Sequence, residues 1–315
     1  MKRFALVAML VSIACGGSAG GPKTAKLRFA VIPKSLDLPV FNYAKIGAER
    51  EAARRGGIEV LWRGPENADQ LRQKEILESF ITQRVDGIAI SSLNGDFLTP
   101  IIDRAVDAGI PVVTWDSDAP KSKRTVFYGV DDLAAGRILG EHAAALLGGK
   151  GKVAIITSYG ATNLERRLRG VRESVAKYPG IEVVETYDIK EDTVRCSEIM
   201  ASGTNRYPDL GAWIAVGGWP VFTRNALDVV PARTRVVAFD TIPPAPDLLK
   251  AGRVQLLIGQ KYFGWGSESV RLLAEIKSGK LPPSPIIDSG VDVVTADNVD
   301  AYVRSWNLLE RPKQP

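Results

Sequence analysis

The sequence predicts an α/β protein of two doubly wound parallel-sheet lobes joined by a multi-strand hinge. Three observations carry this. Short apolar strands alternate with helical stretches through most of the 315 residues, joined by brief polar connections, the pattern of parallel sheets with helices on both faces. Val112, Val113, Thr114 and Trp115 follow Gly109-Ile110-Pro111 and lead into Asp116 and Asp118, so this strand is expected to be buried on both faces and to deliver acids at its carboxyl edge. Arg235 to Thr241, RVVAFDT, repeats the pattern with Asp240. In open α/β sheets ligands sit at the carboxyl edge, so a polar cleft between the two sheets is expected.

Taken in order, Leu27 to Ile32 reads as a strand stopped by Pro33, and Phe41 to Arg55 as a helix ended by Gly56-Gly57. Ile58 to Trp62 is the second strand. Asp69 caps a helix to Arg84 whose apolar face is Leu71, Leu77, Phe80 and Ile81. Gly87 to Ile90 is the third strand, with Ser91 to Gly95 as its exit loop; Thr99 as cap and Pro100 as first helical residue start a helix to Ala108. Val112 to Trp115 and Thr125 to Gly129 complete the first series.

Val130-Asp131-Asp132 opens a second series of the same kind. Its helices are expected over 133–147, 166–176 and 193–201, and its strands over 153–156, 181–185, 212–216 and 236–239, with Ser158 to Asn163 as a loop. Gly217-Gly218-Trp219-Pro220 opens another helix; a strand over 254–259, a helix over 264–277, a strand over 291–295 and a short helix over 299–306 follow. The polar tail 310–315 is expected to fray. No low-complexity linker separates the halves, so lobes of 26–130 plus 261–288 and of 131–260 plus 289–309 should hinge on several crossings.

Composition narrows the function classes. Lys2 and Arg3, an apolar run from Phe4 to Ala14 and the small residues Gly16 to Ala19 have the layout of a secretory signal over residues 1–19. The run is too short to span a bilayer, which takes about 20 residues. Ser12-Ile13-Ala14-Cys15 resembles a lipoprotein box, so lipidation at Cys15 and cleavage after Ala19 are both open, and either exports the protein to the periplasm or cell-envelope exterior. Cys196 is the only other cysteine, which leaves no disulfide framework; it reads as a small buried hydrophobe on a helix. Without Lys2 and Arg3 the basic residues fall from 41 to 39 against 36 acids, a net charge of +3 that argues against a nucleic-acid partner. The single histidine, His142, lies mid-helix and offers nothing for a catalytic triad or a zinc site. No phosphate loop or dinucleotide fingerprint is present, so no cofactor is called for.

The residues that point to a family lie in order along the chain. They are Pro39-Val40-Phe41, Val85 to Ile90 (VDGIAI), Ala108 to Val113 (AGIPVV), Asp116, Asp131-Asp132, Arg167 to Val171 (RLRGV), Val237 to Asp240 (VAFD) and Gly259-Gln260. In this the chain resembles the type I periplasmic sugar-binding proteins, the ribose- and galactose-binding receptors of ABC transporters, from about Leu27 to Trp306. It departs from ribose receptors at Ser117, where they carry arginine, and at Gly217 to Pro220, where they place an asparagine. The resemblance implies a monomeric, non-enzymatic receptor that closes on a monosaccharide or related polyol and delivers it to a membrane permease.

Sugar hydroxyls both donate and accept, so such a site needs ionised acceptors, multi-donor groups and flat aromatic faces. Asp116 and Asp240 would accept hydroxyl hydrogens, Arg167 would supply a fork of donors, and Gln260 at the hinge one donor and one acceptor. Trp219, in a loop with no strand to belong to, is a stacking candidate; Phe41 stands between helix core and ring contact, and Trp115 is assigned to the core. Asn42 beside Phe41 and Asp132 at the lobe crossing complete the candidate set. Arg166 and Arg169 read as a solvated face. The alternatives are a partner of a chemotaxis or histidine-kinase sensor and, less favoured, an exported carbohydrate-acting enzyme with paired carboxylates. A repressor-type sensor would need an N-terminal DNA-binding helix pair where the leader stands.

Overall fold

A computed structural model describes residues 26–222, 225 and 227–310. The leader with Cys15 and residues 311–315 of the expected tail lie outside them. The elements are β1 (Leu27–Ile32), α1 (Val40–Arg55), β2 (Ile58–Trp62), α2 (Gln70–Thr82), β3 (Gly87–Ile90), α3 (Gly95–Asp107), β4 (Val112–Trp115), β5 (Val126–Gly129), α4 (Asp132–Leu146), β6 (Lys150–Thr157), α5 (Thr162–Val175), β7 (Gly180–Asp188), α6 (Thr193–Arg206), β8 (Leu210–Ala215), β9 (Arg235–Phe239), α7 (Ala245–Lys250), β10 (Leu256–Gly259), α8 (Tyr262–Lys277), β11 (Ile286–Asp288), β12 (Asp292–Val294) and α9 (Val299–Glu310). They build two six-stranded sheets, ordered β2-β1-β3-β4-β5-β11 and β7-β6-β8-β9-β10-β12. Every pairing is parallel except β10 with β12. The chain therefore has the two α/β lobes its strand pattern predicts. Strands β3, β4, β5 and β10 are buried at every residue, as runs covered on both faces must be.

Acid caps set several helix starts. The Asp69, Asp131 and Asp192 side chains each accept two backbone N–H groups at the first turns of α2, α4 and α6. Two expectations fail here. Helix α3 begins at Gly95, not at Pro100, because Asn94 accepts the Phe97 N–H (3.0 Å) and starts the helix a turn early, with Pro100 inside it. Leu71 is 61% exposed, because the buried face of α2 runs through Gln73, Ile76, Leu77 and Phe80, and a residue two before Gln73 lies on the other side.

Among the described residues, the stretch where a helix was expected after Gly217 holds a 3-10 turn, Trp219–Val221, while α7 and β11 were not legible. Glu310 belongs to α9 and not to a frayed tail: the Arg50 guanidinium donates to the Leu309 (2.6 Å) and Glu310 (2.8 Å) carbonyls and satisfies the helix end. At its other end α9 is tied to α7 by Lys250–Asp300.

Each lobe contains one very close helix pair. A Cβ on Gly170 of α5 would stand 2.3 Å from the Leu133 carbonyl oxygen, and one on Gly136 of α4 2.1 Å from that of Arg167. The same device recurs between α1 and α8, where a Cβ on Gly266 would stand 1.8 Å from the Ala44 carbonyl oxygen. Trp115 is fully buried, edge-on to Phe41 at 5.7 Å and tilted against Trp62 and Trp265, as its core assignment requires. Cys196 is buried on α6, and burial pushes its thiol up to about 12. His142 lies on α4 with Nδ1 2.9 Å from the Ile138 carbonyl.

Candidate functional site

The carboxyl ends of both sheets converge on one buried polar cluster. Past β4 the chain turns through Asp116 in the left-handed region (φ 58°), and its carboxylate accepts the Ser91 hydroxyl at 2.6 Å. Past β9 comes Asp240, whose Oδ1 accepts both the Gln260 amide (2.7 Å) and the Tyr262 hydroxyl (3.0 Å). Gln260 directly follows β10, and its side-chain carbonyl accepts from Arg167 Nη2 at 3.0 Å. Arg167, on α5, also donates from Nε to Asp132 (2.8 Å) and from Nη1 to the Val216 carbonyl (3.2 Å), with its guanidinium 4.0 Å over the Phe239 ring. Of its five N–H donors these three are engaged, leaving two for a ligand. The glycine approach of α4 and α5 is what brings Asp132 and Arg167 within reach.

Opposite charges cross the cleft. Lys34, just past β1, points its ammonium at Asn163 Oδ1 (3.2 Å), Glu191 Oε1 (3.4 Å) and Asp116 Oδ2 (3.6 Å). Glu191 follows β7 in a pair of left-handed residues (Lys190 φ 53°, Glu191 φ 59°), and its other oxygen accepts the Trp219 indole N–H at 3.2 Å. Hydrogen bonds also join the loops across the cleft: the Thr162 N–H donates to the Leu93 carbonyl (3.1 Å) and the Gly95 N–H to the Thr162 side-chain Oγ1 (2.9 Å).

Burial tunes the ionisable groups. It pushes Asp132 up to about 7, only partly opposed by Arg167, and Asp240 up to about 6 against Arg167, Gln260 and Tyr262. Burial by itself would lower the Lys34 ammonium, but the charges of Asp116 and Glu191 reverse this and hold it above its ordinary value.

Six of the eight sequence candidates line this cavity: Phe41, Asp116, Arg167, Trp219, Asp240 and Gln260. Asp132 stands behind Arg167 and positions it. Asn42 is exposed on α1, pointing away from its neighbour Phe41 as adjacent helical residues do, and does not line the cavity. Asp118, the other strand-end acid, is taken by Arg124 in a two-point ion pair (2.6 Å each) and stays outside. Lys34, Asn163, Glu191 and Trp265 also line the cavity and were not foreseen. The carboxyl-edge rule applied to β1 flags Lys34, and applied to β6 and β7 flags Asn163 and Glu191.

The lobes are shut on this cluster, leaving about 30 Å³ of free space, room for two or three waters at roughly 10–15 Å³ each. A ring-sized guest therefore needs the lobes to part. A larger hollow of about 750 Å³ lies under α9, lined by Tyr128, Phe263, Tyr302 and Trp306, but its one carboxylate, Asp292, is already paired with Lys261 at 2.6 Å. No group of three or more His, Cys, Asp or Glu able to hold a metal ion occurs among the described residues. No described helix is long and apolar enough to cross a membrane.

Comparison with known proteins adds a second line of argument. A family profile described as periplasmic binding protein domain matches residues 29–281. The chain is 28% identical to a D-ribose/D-allose-binding protein of Pseudomonas aeruginosa, over 94% of this chain and 100% of that one. Among solved structures it is similar to an ABC transporter solute-binding protein of Burkholderia graminis in complex with D-arabinose (35% identity, TM-score 0.82, covering 89% of this chain and 99% of that one). It is also similar to a glucose-galactose binding protein of Geobacillus stearothermophilus (28% identity, TM-score 0.80, covering 87% and 98%). All three of these relatives are binding proteins.

Proposed function

The chain belongs to the periplasmic binding proteins, and from that premise we propose that it captures a monosaccharide or related polyol between its lobes and delivers it to an ABC permease. The observation that carries this reading is the convergence of Asp116, Arg167, Asp240 and Gln260 from different strand ends on one cavity. Asp116 and Asp240 accept ligand hydroxyls, the two unengaged N–H groups of Arg167 donate, and Phe41, Trp219 and Trp265 cover the C–H faces. Contacts to both lobes exist only when the cleft is shut, so ligand biases the chain toward closure. The lobes exchange the chain at 130/131, 260/261 and 288/289, which is where hinge rotation is absorbed; the split of β11 and β12 between the two sheets supports that division. Residues 1–19 serve as the export signal.

The test is a thermal-shift and titration panel of pentoses, hexoses and polyols on the purified chain. A ligand at about 1,000 times its dissociation constant stabilises by about 4 kcal/mol, which is visible in any melt. A panel in which no hydroxylated compound moves the melt overturns the reading.

A further inference from the structure

We infer that Lys34 sets the charge of the ligand: its ammonium fills a cage of Asp116, Asn163 and Glu191, so it holds the two carboxylates that would otherwise recruit an aminated ring, while the cleft admits an uncharged hydroxylated ring and refuses an acidic one. The ligand class rests on the sugar reading above; the cage does not. The Lys34 ammonium donates to Asn163 Oδ1 (3.2 Å) and Glu191 Oε1 (3.4 Å) and forms an ion pair with Asp116 Oδ2 at 3.6 Å. All four side chains are buried, and a buried lysine persists only when paired.

The cage carboxylates also have partners other than Lys34. Glu191 is held from behind by the Trp219 indole, and Asp116 by the Ser91 hydroxyl and, at 3.5 Å, the Asn163 amide. The cage is therefore a cation site occupied by the chain's own cation.

Charge balance gives the selectivity. With Arg167 matched by Asp132, Lys34 faces Asp116, Glu191 and Asp240 across the cavity. An acidic ligand meets excess negative charge. An amine is left only the Asp240 carboxylate, because Lys34 already holds Asp116 and Glu191. Once Lys34 is removed, the same carboxylates attract cations.

The experiment compares wild type, Lys34→Ala and Lys34→Met by thermal shift with n-butylammonium chloride against sodium chloride at equal ionic strength, then by titration with D-ribose, D-allose, D-arabinose, glucosamine and glucuronate. Butylammonium should stabilise Lys34→Ala at concentrations at least tenfold below any effect on wild type or on Lys34→Met, whose side chain still plugs the cage. Lys34→Ala should bind the neutral sugar at least tenfold more weakly and raise its glucosamine-to-sugar affinity ratio at least tenfold. A Lys34→Ala protein indifferent to butylammonium, or a wild type equally responsive to it, overturns the inference. If Lys34→Ala does not fold, Glu191→Gln added to Lys34→Met should restore part of the melting temperature that Lys34→Met loses, and absence of that rescue overturns it equally. The amine measurement involves no sugar, so a wild type that ignores every sugar refutes the sugar reading while the cage is still judged on butylammonium.

Discussion

Replacing Arg167 by Met tests the centre of the cleft. The variant keeps the bulk of the stem but deletes the bonds to Asp132, Val216 and Gln260. It strands a carboxylate that is 4% exposed. Removing one partner of a buried ion pair costs about 3–5 kcal/mol, which should lower the urea midpoint of the ligand-free protein clearly.

The cost should depend on pH in a definite direction. In the wild type Asp132 already ionises only at about 7, and without the guanidinium its pKa rises further. Above pH 7 the wild-type carboxyl is ionised folded and unfolded and adds no slope, whereas the variant's folded state holds a proton its unfolded state has lost. The stability gap should widen by about 1.4 kcal/mol per pH unit above 7 until the variant's carboxyl ionises. Urea unfolding at pH 6, 7, 8 and 9 measures this. A gap that is absent, or flat above pH 7, refutes the assignment of Arg167 as the counter-charge of Asp132. Ligand affinity should fall at least tenfold, from losing charge-assisted bonds of about 1.5–3 kcal/mol each.

Three further outcomes follow from the same geometry. Asp240 ionises at about 6 in the closed cleft and accepts a hydroxyl hydrogen more strongly when ionised, so affinity should rise from pH 5 to pH 8 with proton release near pH 6; calorimetry in buffers of different ionisation enthalpy reads it, and Asp240→Asn should abolish the proton release. Ligand-free stability should run the other way. Asp132 and Asp240 bind protons more tightly folded than unfolded, so their contribution is full below about pH 4 and lost as pH rises through 6 and 7; the melting temperature should fall between pH 5 and 8, and a slope unchanged in Asp132→Asn would contradict this. Gly170→Ala places a Cβ 2.3 Å from the Leu133 carbonyl oxygen. It should cost about 1–3 kcal/mol by overpacking and weaken ligand binding by displacing Arg167, while Arg169→Ala on the exposed face should leave both unchanged.

The sequence by itself determined the order of strands and helices, the two-sheet division and most of the acids and donors at the strand ends. Those are local patterns: a buried strand is a short apolar run, and its carboxyl edge is the next polar residue, which is how Asp116 and Asp240 were found. Local patterns misled where two signals competed, as at Asn94 against Thr99-Pro100. They were silent where a short element such as β11 carries no pattern of its own. Only the tertiary structure decided that Asp118 is spent on Arg124, that Asn42 points outward, and that Lys34 meets Asn163 and Glu191 across 129 and 157 residues of chain. In sequence Lys34 and Lys190-Glu191-Asp192 look like solvated loop charges. Lys34 and Glu191 become an internal ion pair because two lobes, each folded by its own core, shut on each other and exclude the water that would otherwise have kept those charges apart.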